Sequence, residues 1–200
     1  MDLSDLTARA NPLLLEYLWV CFFPRRGSAQ IFSKDVFAYD EEIKSRVGYV
    51  PAESIFYKKL TVKELFEYSA RLRCCGTQRV KELIELFELD VRKKGKQLSF
   101  GNAKKVSIIF ALMHSSELLI LDESTSGLDP VMQQKFFNLI EQERQRGATV
   151  LLSTHILSDV QKVCDQAAII RKGRIVDVID VKELSKEIGD LEKTFMQYYI

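Results

Sequence analysis

An α/β fold with a parallel sheet is predicted by three stretches of the sequence. The first is Leu118 to Asp122, where four successive apolar residues mark a fully buried strand. The second is Thr149 to Ser153, another apolar run of strand length. The third lies between them: Pro130 to Arg146, rich in polar residues and closed by Gly147, reads as a helix. Strand, helix and strand in that order make a parallel crossover. Ligands of parallel sheets gather at the carboxyl ends of the strands, which is where Asp122 and Glu123 fall. Asp122 suits Mg²⁺, a hard cation that takes oxygen ligands. Glu123 points to the other side and suits polarising a water for attack on a phosphate. Ser126, Gly127, Leu128 and Asp129 turn the chain, and Pro130 fits the first position of the next helix. Taken alone, the two acids also fit a solvated turn that closes a buried strand.

The 200 residues suit one domain with a sizeable core, with room for a small subdomain. Lys and Arg number 29 against 28 Asp and Glu, so no strong field favours nucleic acid. The most apolar segment, Leu13 to Phe23, contains Glu16 and is too short to span a bilayer. Asp2 and Asp5 stand where a signal peptide would be basic. A cytoplasmic chain is expected, with any membrane attachment made through a partner. Cys21, Cys74, Cys75 and Cys164 lack metal-ligand spacing and read as reduced thiols, with a Cys74–Cys75 bond as the alternative.

Taken in order, Ser28 to Phe32 and Arg46 to Pro51 read as strands with a polar segment between them. Thr61 and Glu64 form a capping box that opens a helix running to Leu72-Arg73, and Gly76 is expected to end it. Val80, Leu83, Ile84 and Phe87 recur at helical spacing and give a second helix. The basic run Arg92 to Lys96 reads as a solvated loop, because no aromatics are interleaved with it. Ser99 caps an amphipathic helix with Val106, Ile109, Phe110 and Met113 on one face. Ile156 to Cys164 forms a short helix. Ala167 to Ile170 and Arg174 to Val178 are strands joined by a Lys-Gly turn, and a helical tail follows from Val181.

Leu98-Ser99-Phe100-Gly101-Asn102, then L-L-I-L-D-E, then S-G-L-D, then Ser153-Thr154-His155 stand in one order along the chain. This order resembles the nucleotide-binding subunit of ATP-binding cassette (ABC) transporters, over a stretch from about Pro24 to the C-terminus. The resemblance implies a P-loop NTPase-like core with a helical subdomain, and it implies ATP and Mg²⁺ as cofactors. It makes Glu123 the general base, His155 the switch that contacts the γ-phosphate, and Asp122 the Mg²⁺ residue. Ser99 and Gly101, in the signature motif, would bind ATP held by the opposite subunit. Asp129, in the D-loop, would shape the dimer interface. The partners implied are a separate membrane permease and a second cassette, identical or different. The place implied is the inner face of the cell membrane, reached through those partners. The domain pattern implied is a partial ABC ATPase domain over 1–178, with its helical subdomain at about 54–114, and a helical tail over 179–200. The form L-S-F-G-N resembles a branch associated with export of antibiotics, peptides or ions.

Two departures qualify that expectation. Such a cassette carries a phosphate loop, G-x-x-x-x-G-K-[ST], whose backbone N–H groups and Lys hold the phosphates. No such run occurs in the 200 residues. The family's spacing puts Ala8, Arg9 and Ala10 in the glycine-rich part, Asn11 at the Lys and Pro12 at the Ser or Thr. The expected fold therefore lacks the N-terminal strands, through truncation or degeneration. The second departure lies after Gly48-Tyr49-Val50-Pro51, which resembles the start of the Q-loop. Ala52 stands where a Gln usually follows, and Glu53 comes next. Glu53 either offers an oxygen in the Gln's place or is simply solvated. The function expected is the ATPase subunit of an exporter, inactive alone. The alternative is a non-catalytic half-cassette that supplies only the signature motif to a partner. A soluble DNA-repair or translation ATPase fits less well, since tandem cassettes do not fit this length.

Overall fold

A computed structural model of the chain describes residues 28–73 and 75–184, together with 193, 196 and 197. Expectations for Ala8 to Pro12, for Leu13 to Val20, for Cys21 and Cys74 and for the N-terminal strands lie outside those residues. The chain divides into two compact units, Ser45–Ser153 and the flanking Met1–Lys44 with Thr154–Ile200.

The flanking unit opens with β1 (Gln30–Ile31) and β2 (Lys34–Asp35), paired antiparallel. Phe32 and Ser33 join them with φ of 55° and 60°, the handedness that a two-residue hairpin needs. Asp35 Oδ1 accepts the Phe37 and Ala38 N–H groups at 3.0 Å each. Helix α1 (Asp40–Arg46) follows, with Asp40, Glu41 and Glu42 at its positive dipole end. One strand over Ser28 to Phe32 is expected from the sequence, with a polar segment after it. A hairpin and a helix stand there instead, because local turns and caps order residues whose pattern is too short to read.

The second unit runs β3 (Val47–Val50), α2 (Val62–Leu72), α3 (Thr77–Leu86), one 3₁₀ turn (Gly95–Gln97), α4 (Phe100–Leu112), β4 (Leu118–Asp122), α5 (Pro130–Gln145) and β5 (Thr149–Ser153). The strands form a parallel sheet in the order β3-β4-β5. The register pairs Val47 with Leu118 and Val50 with Leu121 on one side of β4. On the other side Leu118 faces Thr149 and Asp122 faces Ser153. All five residues of β4 are buried, as its continuous apolar run requires. β5 is only half-buried, against the expectation of a buried strand, and among the described residues it pairs with β4 alone.

The capping box of α2 forms as predicted: Glu64 N–H donates to Thr61 Oγ1 at 3.2 Å, and Thr61 N–H donates to Glu64 Oε2 at 2.7 Å. Gly76 does not end that helix. The Arg73 N–H bonds to the Ser69 carbonyl at 3.0 Å and closes it earlier, so Gly76 becomes the N-cap of α3. α4 packs against β3, α2 and α3. It is therefore buried on most faces and not amphipathic as expected; Lys104 and Ser107 are as buried as Val106 and Ile109.

β3 and α4 meet closely at Gly48. A Cβ there would lie 2.3 Å from the Ala111 carbonyl oxygen and 2.7 Å from Leu119 Cδ2. Both obstacles belong to packed elements that cannot swing away. Gly48→Ala is expected to lower unfolding stability by about 1–3 kcal/mol, read from the urea midpoint at unchanged slope.

His114 follows α4. Arg73 Nη1 lies 2.7 Å from its Nε2, and Ser116 Oγ lies at 3.0 Å. Burial, and then the Arg73 charge, push its pKa from 6.5 down to about 4. The folded chain holds this imidazole neutral while the unfolded chain protonates it near 6.5. The contribution is thus complete above pH 6.5 and is lost as pH falls towards 4. Melting temperature in wild type is expected to fall relative to His114→Gln across that window. A constant gap between the two curves would sink this account.

In the flanking unit, α6 (Leu157–Val163) packs Leu157 and Val160 on Ile169 and Ile179. Those two belong to β6 (Gln166–Arg171) and β7 (Arg174–Asp180), an antiparallel pair. Lys172 and Gly173 turn between them with φ of 48° and 76°, as the Lys-Gly turn predicts. α7 (Val181–Leu184) opens the tail. Cys75 and Cys164 are free thiols, and burial pushes Cys164 up to about 11. No helix among the described residues is long and apolar enough to cross a membrane.

Candidate functional site

The carboxyl end of β4 delivers Asp122 buried, at 5% exposure. Glu123 leaves the strand in a left-handed conformation, with φ of 44°. A non-glycine residue held there is strained, and such strain concentrates at functional sites. Its own N–H, bonded to the Ser153 carbonyl at 3.0 Å, holds it in place. Within the described residues, the buried Ser124 hydroxyl makes no hydrogen bond. A buried oxygen in that condition fits a water or a cation-bound ligand.

The turn beyond is tightly tied. Ser126 N–H bonds the Glu123 carbonyl at 3.2 Å, and Leu128 N–H bonds the Thr125 carbonyl at 3.2 Å. Gln133 reaches back from α5 to donate to the Leu128 carbonyl at 3.2 Å. Gly127 has φ of 77°. The Asp129 carboxylate accepts the Met132 N–H at 3.0 Å and caps α5.

α4 begins against this turn. Ser99 Oγ accepts the Asn102 N–H at 3.3 Å, the cap that the sequence predicts. A Cβ on Gly101 would lie 2.5 Å from the Gly127 carbonyl oxygen. A glycine is required there for the helix start and the turn to touch. One turn further on, Lys104 is fully buried and donates to the carbonyls of Pro51 at 2.8 Å and Ala52 at 2.7 Å. Burial lowers its pKa, while Asp122 and Glu123 act to raise it. Ser107 Oγ adds a bond to Ser54 Oγ at 2.7 Å.

The second unit thus brings together Asp122, Glu123, Asp129, Ser99, Gly101 and Ala52. Glu53 is exposed. His155 is exposed in the flanking unit, beyond Thr154, whose Oγ1 accepts the Ile156 N–H at 3.0 Å. Lys104 was not singled out by the sequence. Its signal is a lysine inside the largely apolar run Ala-Lys-Lys-Val-Ser-Ile-Ile-Phe.

The described residues contain no cluster of three or more His, Cys, Asp or Glu able to hold a metal. Mg²⁺ does not need one: it takes one or two carboxylates, with phosphate and water completing the shell. Asp122, buried at the strand end, fits that role.

A parallel sheet with an acid pair at the carboxyl end of its central strand, and a capped helix start beside it, fits an α/β nucleotide-binding cassette. The profile of the ABC transporter family matches residues 13–126. An ABC transporter ATP-binding protein of Bacillus subtilis, YhaQ, is 35% identical over 153 residues, covering 74% of this chain and 51% of the relative. The bacitracin transport ATP-binding protein BcrA of Bacillus licheniformis is 31% identical over 169 residues, covering 82% of this chain and 55% of the relative. The solved structure of an ATP binding subunit of an ABC transporter superposes with a TM-score of 0.84 at 23% identity, over 94% of this chain and 82% of that one. A dimeric ATP-binding cassette in a post-hydrolysis state, bound to ADP and Pi, superposes at 0.70 with 21% identity, over 84% of this chain and 79% of that one. The chain belongs to the ABC transporter family. It spans about half the length of the curated relatives it matches.

Proposed function

We propose that the chain serves as a nucleotide-binding segment of an ABC exporter, pairing with a second cassette across ATP and working through a separate permease at the inner face of the cell membrane. The observation that carries this is the Ser99-capped start of α4, seated on the Gly127 turn behind the acid pair. A helix start presents free N–H groups and a positive dipole to a phosphate. Ser99 adds a hydroxyl, and Gly101 allows close backbone approach. Asp122 holds Mg²⁺ through its shell, and Glu123 takes the proton of an attacking water. Bound Mg²⁺ supplies charge neutralisation on the phosphates. The family resemblance makes His155 the switch toward the γ-phosphate, and Asp129 fixes the D-loop by capping α5. α2 and α3, with α4, make up the helical subdomain at about 54–114. The similarity to a bacitracin transport ATP-binding protein supports a role in transport, and export is taken from the L-S-F-G-N form of the signature.

The test mixes this chain with an intact homologous cassette whose own signature serine is replaced. ATP hydrolysis should reappear, since Ser99 and Gly101 complete the partner's site. Binding of the two chains without hydrolysis would refute the reading. The second reading, a half-cassette that supplies only the signature motif, rests on the missing phosphate loop. Glu123→Gln separates them when the partner keeps its own signature serine, so that this chain's own site is also assembled. A lowered rate then places the acid pair in the reaction, and an unchanged rate favours the second reading.

A further inference from the structure

Phe100 and Lys104 stand one helical turn apart on α4, and between them they touch two separate segments. The Phe100 ring lies over Gly127: a Cβ on that glycine would meet ring atoms at 2.3 and 2.5 Å. The Lys104 ammonium lies 6.0 Å from the centroid of the same ring. It also donates to both the Pro51 and Ala52 carbonyls. A continuous chain of contacts therefore runs from Gly127 through Phe100 and Lys104 to the loop after β3. Lysine is almost never fully buried unless its donors are satisfied. Here the satisfied partners are backbone carbonyls at the point where the family resemblance leads one to expect a Gln and the chain has Ala52. Phe100 is 56% exposed, so hydrophobic burial does not account for its place over the turn.

We infer that Phe100 and Lys104 are a pair of positioning residues that lock the S-G-L-D turn and the loop after β3 to one face of α4, so that the two segments shift together. The lock replaces a side-chain contact from the loop with backbone anchoring from the helix. Ser107, bonded to Ser54 one further turn along, holds the next part of the same loop. The consequence for ATP chemistry rests on the function proposed above. The lock itself does not, and it can be read without nucleotide.

The experiment compares backbone amide NMR spectra of the full ¹⁵N-labelled chain and its variants. Phe100→Leu keeps apolar bulk and removes the ring. It should move the Gly127 peak by direct loss of the ring current, and also the Ala52 and Glu53 peaks through Lys104. Lys104→Met removes the donors and should move Ala52, Glu53 and Gly127. Lys104→Gln keeps two donors and should move them less. Lys172 and Gly173, in the other unit, should stay in place and report intact folding. A Phe100→Leu spectrum in which Gly127 moves while Ala52 and Glu53 stay would overturn the lock. Should Lys104→Met fail to fold, the exposed Phe100 position carries the test, with Phe100→Ala as its second variant. Failure here leaves the hydrolysis rescue untouched, so the two proposals fail separately.

Discussion

Mg-ATP titrated into the isolated 200-residue chain is expected to give no saturable heat at millimolar ligand. A dissociation constant of 1 mM already requires about 4 kcal/mol. In ABC cassettes most of that comes from the phosphate loop, through its backbone N–H groups and the point charge of its Lys. The positions that the family's spacing assigns to the loop carry Asn11, which has no charge, and Pro12, which has no N–H. What remains is the start of α4, and a helix terminus contributes about 0.3–1 kcal/mol to a nearby anion at an exposed site. Asp122 and Glu123 repel phosphate unless Mg²⁺ lies between them. The sum falls well short of millimolar affinity. Calorimetry at several Mg²⁺ concentrations decides the matter. Saturable binding would mean that the loop lies at positions other than Ala8 to Pro12.

The parts of this site that could be read from the sequence are those whose cause is local. The apolar run ending in Asp122 fixes a buried strand and the place of its acids. Ser99 and Thr61 cap their helices with partners three residues away. Asp129-Pro130 opens α5 for the same reason. What escaped the sequence depends on distant partners. Lys104 finds its carbonyl acceptors 53 and 52 residues away in sequence, so nothing nearby marks it as buried. The amphipathic stripe expected on α4 dissolves because β3, α2 and α3 cover several of its sides. The end of α2 was misplaced to Gly76 because glycine there serves as an N-cap as readily as a helix stop. The left-handed Glu123 has no composition signal at all, since glutamate gives no hint of φ near 44°.

Ser99→Arg is expected to abolish the rescue of a signature-deficient partner, while Ser99→Ala only weakens it. The serine does two jobs at one position. Its Oγ accepts the Asn102 N–H and so closes the helix start. Ser99 is also exposed, so in the proposed pairing its hydroxyl would donate to a phosphate presented by the partner. Alanine loses the cap, at a typical cost of about 1 kcal/mol, and removes one donor to the phosphate. The helix dipole and the remaining N–H groups survive that change, so rescue should fall and not vanish. Arginine also loses the cap, but it adds bulk where Gly101 needs close approach to the Gly127 turn. Its charge attracts phosphate at the end of a long side chain, several ångströms from the helix N–H groups. The γ-phosphate would then be held in the wrong place, and misplacement by about 1 Å already costs on the order of 100-fold in rate. The measurement is steady-state ATP hydrolysis by the mixed cassettes, with a melting curve for each variant. Equal melting of the two variants with hydrolysis lost only in Ser99→Arg supports a direct role at the phosphate. Full rescue by Ser99→Arg would remove the start of α4 from the site.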